Sequence, residues 1–125
     1  MAHILVIDDQ LHIRSILKEF LKIDKHEVDL AENGKVGMQL AEHNIYDLVI
    51  TDVVMPERDG LEVIMSLRRI FPHVRIIVMS GGTARLDIAN LLKAAKALGA
   101  DRVLAKPLDF IELQGVVREL LTLKK

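Results

Sequence analysis

The sequence Ile4-Leu5-Val6-Ile7-Asp8-Asp9 decides the fold, because an unbroken apolar run ends directly in two carboxylates. The sequence Leu48-Val49-Ile50-Thr51-Asp52 repeats this pattern, and a third run at 76–79 ends in Ser80. A fourth run, at 101–105, ends in Lys106. Short apolar runs rich in β-branched residues are typical of parallel strands that are buried on both faces. We therefore predict that acids, a hydroxyl and a lysine meet at one edge of a parallel sheet.

Segments with helical spacing separate these predicted strands. The first has apolar residues at i, i+3, i+4, i+7 and i+8, namely Ile13, Ile16, Leu17, Phe20 and Leu21. Similar spacing predicts helices around 36–41, 61–67, 88–95 and 111–121, and a weaker alternating run predicts an edge strand at 27–31. Five β–α units with right-handed crossovers predict a doubly wound five-stranded parallel sheet with helices on both faces. Ligands of such folds bind outside the carboxyl ends of the strands.

Size and composition limit the range of functions. The chain has 125 residues, half of them hydrophobic, which suits a single domain over 1–125. A formal net charge of −1 argues against a nucleic-acid partner, and a sequence without cysteine excludes disulfide and thiol chemistry. The first residues are unlike a signal peptide, and the apolar runs are too short to span a bilayer. We expect a cytoplasmic protein with no membrane or nucleic-acid partner.

The predicted cluster of Asp8, Asp9 and Asp52 requires a counter-charge. Two carboxylates about 4 Å apart repel each other by about 4 kcal/mol at an effective dielectric constant near 20. Lys106 supplies one positive charge, and a divalent cation with oxygen ligands would neutralise the remainder. Mg²⁺ fits best because it takes few carboxylates and completes its octahedron with waters and phosphate oxygens. Mn²⁺ is the alternative ion.

Each of these residues also has an ordinary structural explanation. A single Asp after a strand more often caps a helix or forms a turn. Lys106 alone could be a surface lysine, and Ser80 alone could be an N-cap. A pair of acids at one strand end, an Asp at a second and a lysine at a third favour a common site.

Asp52 is the candidate nucleophile of this site. A carboxylate can attack phosphorus and form an acyl phosphate, provided that positive groups surround the transferring phosphoryl group. Lys106 would supply an ammonium to that group. Ser80 could donate its hydroxyl.

These motifs, taken in order, identify a family. The chain resembles the receiver domain of two-component response regulators, and the resemblance covers nearly its whole length. The matching elements are Ile7-Asp8-Asp9, Thr51-Asp52, Met55-Pro56, Gly60, Met79-Ser80-Gly81, Gly99-Ala100-Asp101 and Ala105-Lys106-Pro107. The resemblance implies a flavodoxin-like strand order of 2-1-3-4-5. It also implies a signalling switch rather than an enzyme. Because the chain ends soon after the last predicted helix, we expect a stand-alone receiver without an output domain.

The resemblance further assigns roles to the site residues. It implies that Asp52 accepts a phosphoryl group from the phosphohistidine of a histidine kinase or phosphotransfer protein. It implies that Asp8, Asp9, Asp52 and the backbone carbonyl of Val54 organise Mg²⁺. Ser80 would be the switch hydroxyl, and Lys106 would contact the phosphate and precede a cis peptide bond.

The chain departs from the family pattern on its expected readout surface, formed by the fourth helix, fifth strand and fifth helix. Val103 stands where the family usually has Tyr or Phe, which puts aromatic-coupled signalling in doubt. The segment between Ser80 and Lys106 is about one helical turn longer than usual, which predicts a longer fourth helix. A downstream protein target would bind this surface.

Two other functions remain open at this stage. One is a receiver-like scaffold that binds partners without phosphorylation. The other is a metal-dependent phosphatase or phosphotransferase with an Asp nucleophile. Haloacid-dehalogenase-like enzymes of that kind place a second Asp two residues after the nucleophile, where this chain has Val54.

Overall fold

The computed structural model describes residues 1–53, 60–80 and 88–122. These residues form five strands and five helices in strict alternation. The strands are β1 (His3–Ile7), β2 (Glu27–Ala31), β3 (Leu48–Asp52), β4 (Arg75–Ser80) and β5 (Arg102–Ala105). The helices are α1 (Leu11–Ile23), α2 (Gly34–His43), α3 (Gly60–Ile70), α4 (Ile88–Leu98) and α5 (Phe110–Thr122).

The five strands form one parallel sheet in the order β2-β1-β3-β4-β5. The predicted fold class and strand order are therefore confirmed, including the edge position of β2. The order reverses between β1 and β3, which are hydrogen-bonded neighbours. A reversal of this kind opens a crevice at the carboxyl ends of the strands. Asp8 and Asp9 follow β1 at this crevice, and Asp52 ends β3 there.

Alternate residues of β1 pack into two hydrophobic cores, one on each face of the sheet. Leu5 and Ile7 point into the core formed with α2, α3 and α4, whereas Ile4 and Val6 point into the core formed with α1 and α5. All four side chains are fully buried. This double burial explains why the strand sequences are continuously apolar.

The helix ends follow the signals in the sequence. Asn33 caps α2 through a hydrogen bond from the Val36 N–H to its side chain. Asp109 caps α5 by accepting the N–H groups of Ile111 and Glu112. Gly99 follows α4 with a φ of +117°, which L side chains rarely adopt.

The described part of α4 has 11 residues, the same number as α3. The extra turn predicted for this helix would begin in residues 81–87, which lie outside the described residues. Within those residues, none of the helices is both long enough and apolar enough to cross a membrane.

Gly37 sets the distance between α2 and β1. A Cβ atom at this position would lie 2.5 Å from Cδ1 and 2.9 Å from Cγ1 of Ile7. The Ile7 side chain is fully buried, so it has little room to move away. Since Ile7 directly precedes Asp8, this contact also supports the strand end that carries the acids.

We expect Gly37→Ala to lower the free energy of unfolding by about 1 kcal/mol, because overpacking outweighs the gain in helix propensity. The matched control is Gly115→Ala in α5, where a Cβ would meet nothing within 4 Å. That substitution should stabilise the protein by about 0.5–1 kcal/mol. Urea unfolding measures both values, and equal stabilisation by the two substitutions would contradict the close packing of α2 on β1.

Candidate functional site at the carboxyl edge of the sheet

Three carboxylates meet at the carboxyl ends of β1 and β3. One oxygen from each of Asp8, Asp9 and Asp52 lies within 4.8 Å of the others. Asp8 and Asp52 are buried, whereas Asp9 is exposed to solvent. The structure thus brings together the three acids that the sequence placed at two different strand ends.

Lys106 bridges two of these acids. Its Nζ atom lies 2.8 Å from Oδ2 of Asp8 and 2.8 Å from Oδ2 of Asp52. Burial by itself would lower the pKa of Lys106, but the hydrogen bonds and charges of Asp52 and Asp8 outweigh it and raise the pKa. The ammonium is therefore held in its charged form between the two buried carboxylates. The peptide bond from Lys106 to Pro107 is cis, as predicted.

Hydrogen bonds hold both the backbone and the side chain of Asp8. Its N–H donates to the carbonyl oxygen of Ala31, and its carbonyl oxygen accepts a hydrogen bond from the Arg14 guanidinium at 2.8 Å. Its Oδ1 atom accepts the Gln10 N–H at 2.8 Å. Because the backbone and both carboxylate oxygens are engaged, the turn after β1 has a defined conformation.

Asp52 is set by its strand and by the neighbouring β4. It pairs with Met79 in the β3–β4 register, and the next residue, Val53, donates its N–H to the Met79 carbonyl oxygen. The buried Thr51 hydroxyl donates to the Asp52 carbonyl oxygen at 3.0 Å. The Asp52 carboxylate is therefore presented on a rigid element.

Ser80 lies at the same edge, at the end of β4. Its side chain is buried, and its carbonyl oxygen accepts the Lys106 N–H at 2.8 Å. Ser80 and Lys106 are thus joined through their backbones across β4 and β5. Val54, the fourth predicted metal ligand, lies outside the described residues.

The donor set is suited to a hard divalent cation. The cluster offers three carboxylates, and among the described residues the ammonium of Lys106 contacts two of them. Carboxylate oxygens are the ligands that Mg²⁺ prefers, and the exposed position of Asp9 leaves room for waters to complete an octahedron. The residues present therefore fit the ion that the sequence suggested.

Two supporting residues were missed at the sequence level. Arg14 lies on the first turn of α1, and its contact with the Asp8 carbonyl oxygen fixes the acid-bearing turn. Gln10 holds Asp8 through its backbone N–H. The short distance of both residues from the acid pair along the chain was the available signal, but the direction of the Arg14 side chain depends on how α1 packs.

One matching motif lies away from the site. Asp101, of Gly99-Ala100-Asp101, directly precedes β5 and so lies at the amino ends of the strands. It accepts the Ile76 N–H at 2.8 Å and pairs with Arg68 and Arg75. Arg68 also donates to the carbonyl oxygen of Gly99. A Cβ at Gly99 would lie 2.8 Å from Nε of Arg68, so glycine lets the guanidinium lie close to the backbone.

Comparisons with known proteins agree with this site. The family described as "Response regulator receiver domain" matches residues 4–118. The DNA-binding transcriptional regulator NtrC of Azospirillum brasilense is 41% identical over 120 residues, which are 96% of this chain and 24% of that protein. Sporulation initiation phosphotransferase F of Bacillus subtilis (strain 168) is 32% identical over 97% of this chain and 94% of its own length.

Solved structures show the same fold. A response regulator receiver domain protein from Clostridium thermocellum has a TM-score of 0.85 and 33% identity, over 97% of this chain and 94% of that one. The response regulator TrrA from Thermotoga maritima, solved in complex with Mg²⁺-BeF, has a TM-score of 0.81 and 36% identity, over 96% of this chain and 99% of that one.

The chain belongs to the response regulator receiver family, with an acidic pocket typical of the family's phosphoacceptor site. Proteins of this family are signalling switches of two-component systems, and they interact with histidine kinases or phosphotransfer proteins. The chain spans 24% and 52% of the length of two of its relatives, NtrC and the transcriptional regulatory protein PcoR of Escherichia coli.

We expect Lys106→Met to lower the free energy of unfolding by about 3 kcal/mol in the presence of a chelator, because it leaves two buried carboxylates without their cation. Lys96→Met on the exposed surface of α4 is the matched control and should change stability by less than about 0.5 kcal/mol. Urea unfolding at neutral pH distinguishes the two. Equal unfolding midpoints would contradict the bridging role of Lys106.

Proposed function

We propose that Asp52 is the phosphoacceptor of this receiver and takes its phosphoryl group from a phosphohistidine. The observation that carries this proposal is the Asp52 carboxylate itself, which lies at the end of a rigid strand, beside two further acids and 2.8 Å from the Lys106 ammonium. A carboxylate oxygen of Asp52 attacks the phosphorus atom, a P–O bond forms, and the P–N bond to the donor imidazole breaks. The imidazole leaves with the electron pair of that bond.

Asp8, Asp9, Asp52 and the Val54 carbonyl are the proposed ligands of Mg²⁺, with Mn²⁺ as an alternative. Bound Mg²⁺ would neutralise phosphoryl oxygens during transfer. The fit of the acid cluster supports this assignment. The Mg²⁺-BeF complex of the similar Thermotoga maritima protein also supports it.

Lys106 and Ser80 are the proposed partners of the transferred group. Lys106 already contacts the acceptor carboxylate, so its ammonium can bind a phosphoryl oxygen added to that carboxylate. Ser80 ends the strand next to Asp52 and can donate its hydroxyl to a second phosphoryl oxygen. Movement of Ser80 towards the phosphoryl group would shift a pre-existing two-state equilibrium.

The proposed output is protein binding by a single receiver domain over 1–125, through the surface formed by α4, β5 and α5. Val103 on β5 is half-buried and packs against the core that β5 shares with α4. A valine in this position cannot make the rotamer change of an aromatic ring. The readout would therefore depend on backbone and helix movement, and its partner would be a downstream protein.

We further propose a cytoplasmic switch that is not an enzyme acting on separate substrates. A phosphorylation-independent scaffold is the second candidate, but it has no need for three mutually repelling carboxylates. An Asp-nucleophile phosphatase is the third, and it requires turnover of a phosphomonoester with Mg²⁺.

We expect wild-type protein incubated with acetyl phosphate and Mg²⁺ to gain one phosphoryl group by intact mass, and Asp52→Asn to gain none. The matched control is Asp109→Asn, which makes the same chemical change at the exposed cap of α5 and retains an N-cap residue. This control should be labelled like wild type. Chelation of Mg²⁺ before the reaction should abolish labelling.

Labelling of Asp52→Asn would contradict the assignment of the acceptor. Failure of wild type with acetyl phosphate and with a panel of phosphorylated histidine kinases would favour the scaffold. Steady release of phosphate from a phosphomonoester would favour the phosphatase.

We expect Mg²⁺ to stabilise the folded protein, because the acid cluster forms only on folding. At 100 times the dissociation constant, the gain in the free energy of unfolding is about 2.7 kcal/mol. Asp9→Asn should lose most of this gain. Asp47→Asn, an exposed acid at the opposite edge of the sheet, should retain it. Thermal unfolding with and without Mg²⁺ measures the effect, and an unchanged gain in Asp9→Asn would exclude Asp9 as a ligand.

A further inference from the structure

Two histidine rings lie at the start of β1. They are at the amino ends of the strands, whereas the acids are at the carboxyl ends. The Nδ1 atom of His26 lies 3.1 Å from the Ala2 backbone nitrogen. The Nδ1 atom of His3 lies 3.1 Å from the Ile45 carbonyl oxygen, and its Nε2 atom lies 2.8 Å from Oδ2 of Asp29. The His26 ring therefore contacts the residue before β1, whereas the His3 ring belongs to the first residue of β1. The first ring faces a hydrogen-bond donor, and the second faces two acceptors.

The partner of His26 requires a neutral ring. A backbone N–H can only donate, so the Ala2 contact is a hydrogen bond only when Nδ1 of His26 carries no proton. Burial lowers the pKa of His26, and the N-terminal ammonium lowers it further against the opposing charges of Asp24 and Asp47. Protonation would set two N–H donors against each other and break the contact.

The partners of His3 require a charged ring. The Ile45 carbonyl oxygen can only accept, so Nδ1 of His3 must carry a proton. The carboxylate of Asp29 also accepts, through its Oδ2 atom. Its Oδ2 atom takes a second hydrogen bond from the Tyr46 hydroxyl at 2.7 Å. Both ring nitrogens of His3 therefore donate, and the ring is an imidazolium.

We propose that His3 as an imidazolium and His26 as a neutral ring form a latch on the start of β1 that opens when His26 is protonated. When the pH falls, His26 gains a proton and releases the Ala2 N–H. The latch is thus a proton-sensitive device at the edge of the sheet that does not carry the phosphoacceptor.

The surrounding charges are compatible with this behaviour. Around His26 lie the N-terminal ammonium, Asp24 and Asp47, and Asp24 is paired with Arg118 through two hydrogen bonds of 3.0 Å. His26 and Ala2 also line a cavity of about 610 Å³, which gives water access to the ring.

Around His3 lie Asp29, Tyr46, Glu27 as its cross-strand partner, and Asp47, which accepts the His3 backbone N–H. Burial raises the pKa of Tyr46, and Asp29 raises it further, so its hydroxyl remains a donor across the working range.

The sign of the pH dependence follows from the charge state of His26 that folding favours. The pKa of His26 is lowered on folding, so its contribution to stability is complete above the unfolded value of about 6.5 and is lost as the pH falls through the folded value.

The first test is a long-range ¹H–¹⁵N correlation spectrum of the imidazole rings at pH 7. We expect both nitrogens of His3 to be protonated and His26 to carry its proton on Nε2. The exposed His12, His43 and His73 serve as references within the same spectrum. A neutral His3 ring, or a proton on Nδ1 of His26, would overturn the proposal.

The second test is the pH profile of the free energy of unfolding between about pH 5 and pH 9. His26→Asn keeps an acceptor near the position of Nδ1 but does not titrate, so it should remove the loss of stability below neutral pH. His3→Phe keeps a ring against Tyr46 and leaves His26 in place, so it should retain that loss.

One hydrogen bond corresponds to about a two- to tenfold change in the unfolding equilibrium, which is the expected size of the effect. A loss of stability at low pH that persists in His26→Asn would assign the pH dependence to other groups and overturn the proposal. Because phosphorylation of Asp52 plays no part in either measurement, the outcome is independent of the proposed function.

Discussion

The clustering of negatively charged side chains at the carboxyl ends of β1 and β3 is the constraint on which the site depends. Asp8, Asp9 and Asp52 bring three negative charges together, and the bridging Lys106 balances one of them. Buried carboxylates without partners are costly, and like charges a few ångströms apart add to that cost. The arrangement persists because β1, β3 and β5 are anchored by two hydrophobic cores and cannot separate to relieve it. Repulsion between neighbouring carboxylates favours the binding of a cation among them.

The two edges of the sheet differ in how their polar groups are satisfied. At the amino edge, Asp101 is paired with Arg68 and Arg75 and also accepts a backbone N–H, so its charge is fully used within the fold. At the carboxyl ends of the strands, Asp9 faces solvent beside the two buried carboxylates of Asp8 and Asp52. The first pattern is typical of a structural anchor and the second of a binding site. The two patterns differ in solvent exposure and in the clustering of carboxylates.

Much of the fold could be predicted because local and global signals agree. The continuous apolar run of β1 indicated burial on both faces, and the structure shows those residues dividing between two cores. Caps such as Asp109 and the left-handed Gly99 could be recognised because each depends on a few neighbouring residues. The role of Arg14 could not be recognised, because its target is a carbonyl oxygen that only the packing of α1 brings within reach.

The sequence by itself determined which chemical groups end each strand, since the alternation of apolar runs and helical spacing assigns Asp8, Asp9, Asp52 and Lys106 to strand ends without reference to any contact. Only the tertiary structure decided which of those ends are neighbours and which charges meet. Asp52 and Lys106 are 54 residues apart, and their contact of 2.8 Å exists because β4 lies between their strands in the sheet. The same holds for the different charge states proposed for His3, as an imidazolium, and His26, as a neutral ring. A ring nitrogen donates or accepts according to the partner that folding places beside it, and that partner lies 24 or more residues away along the chain.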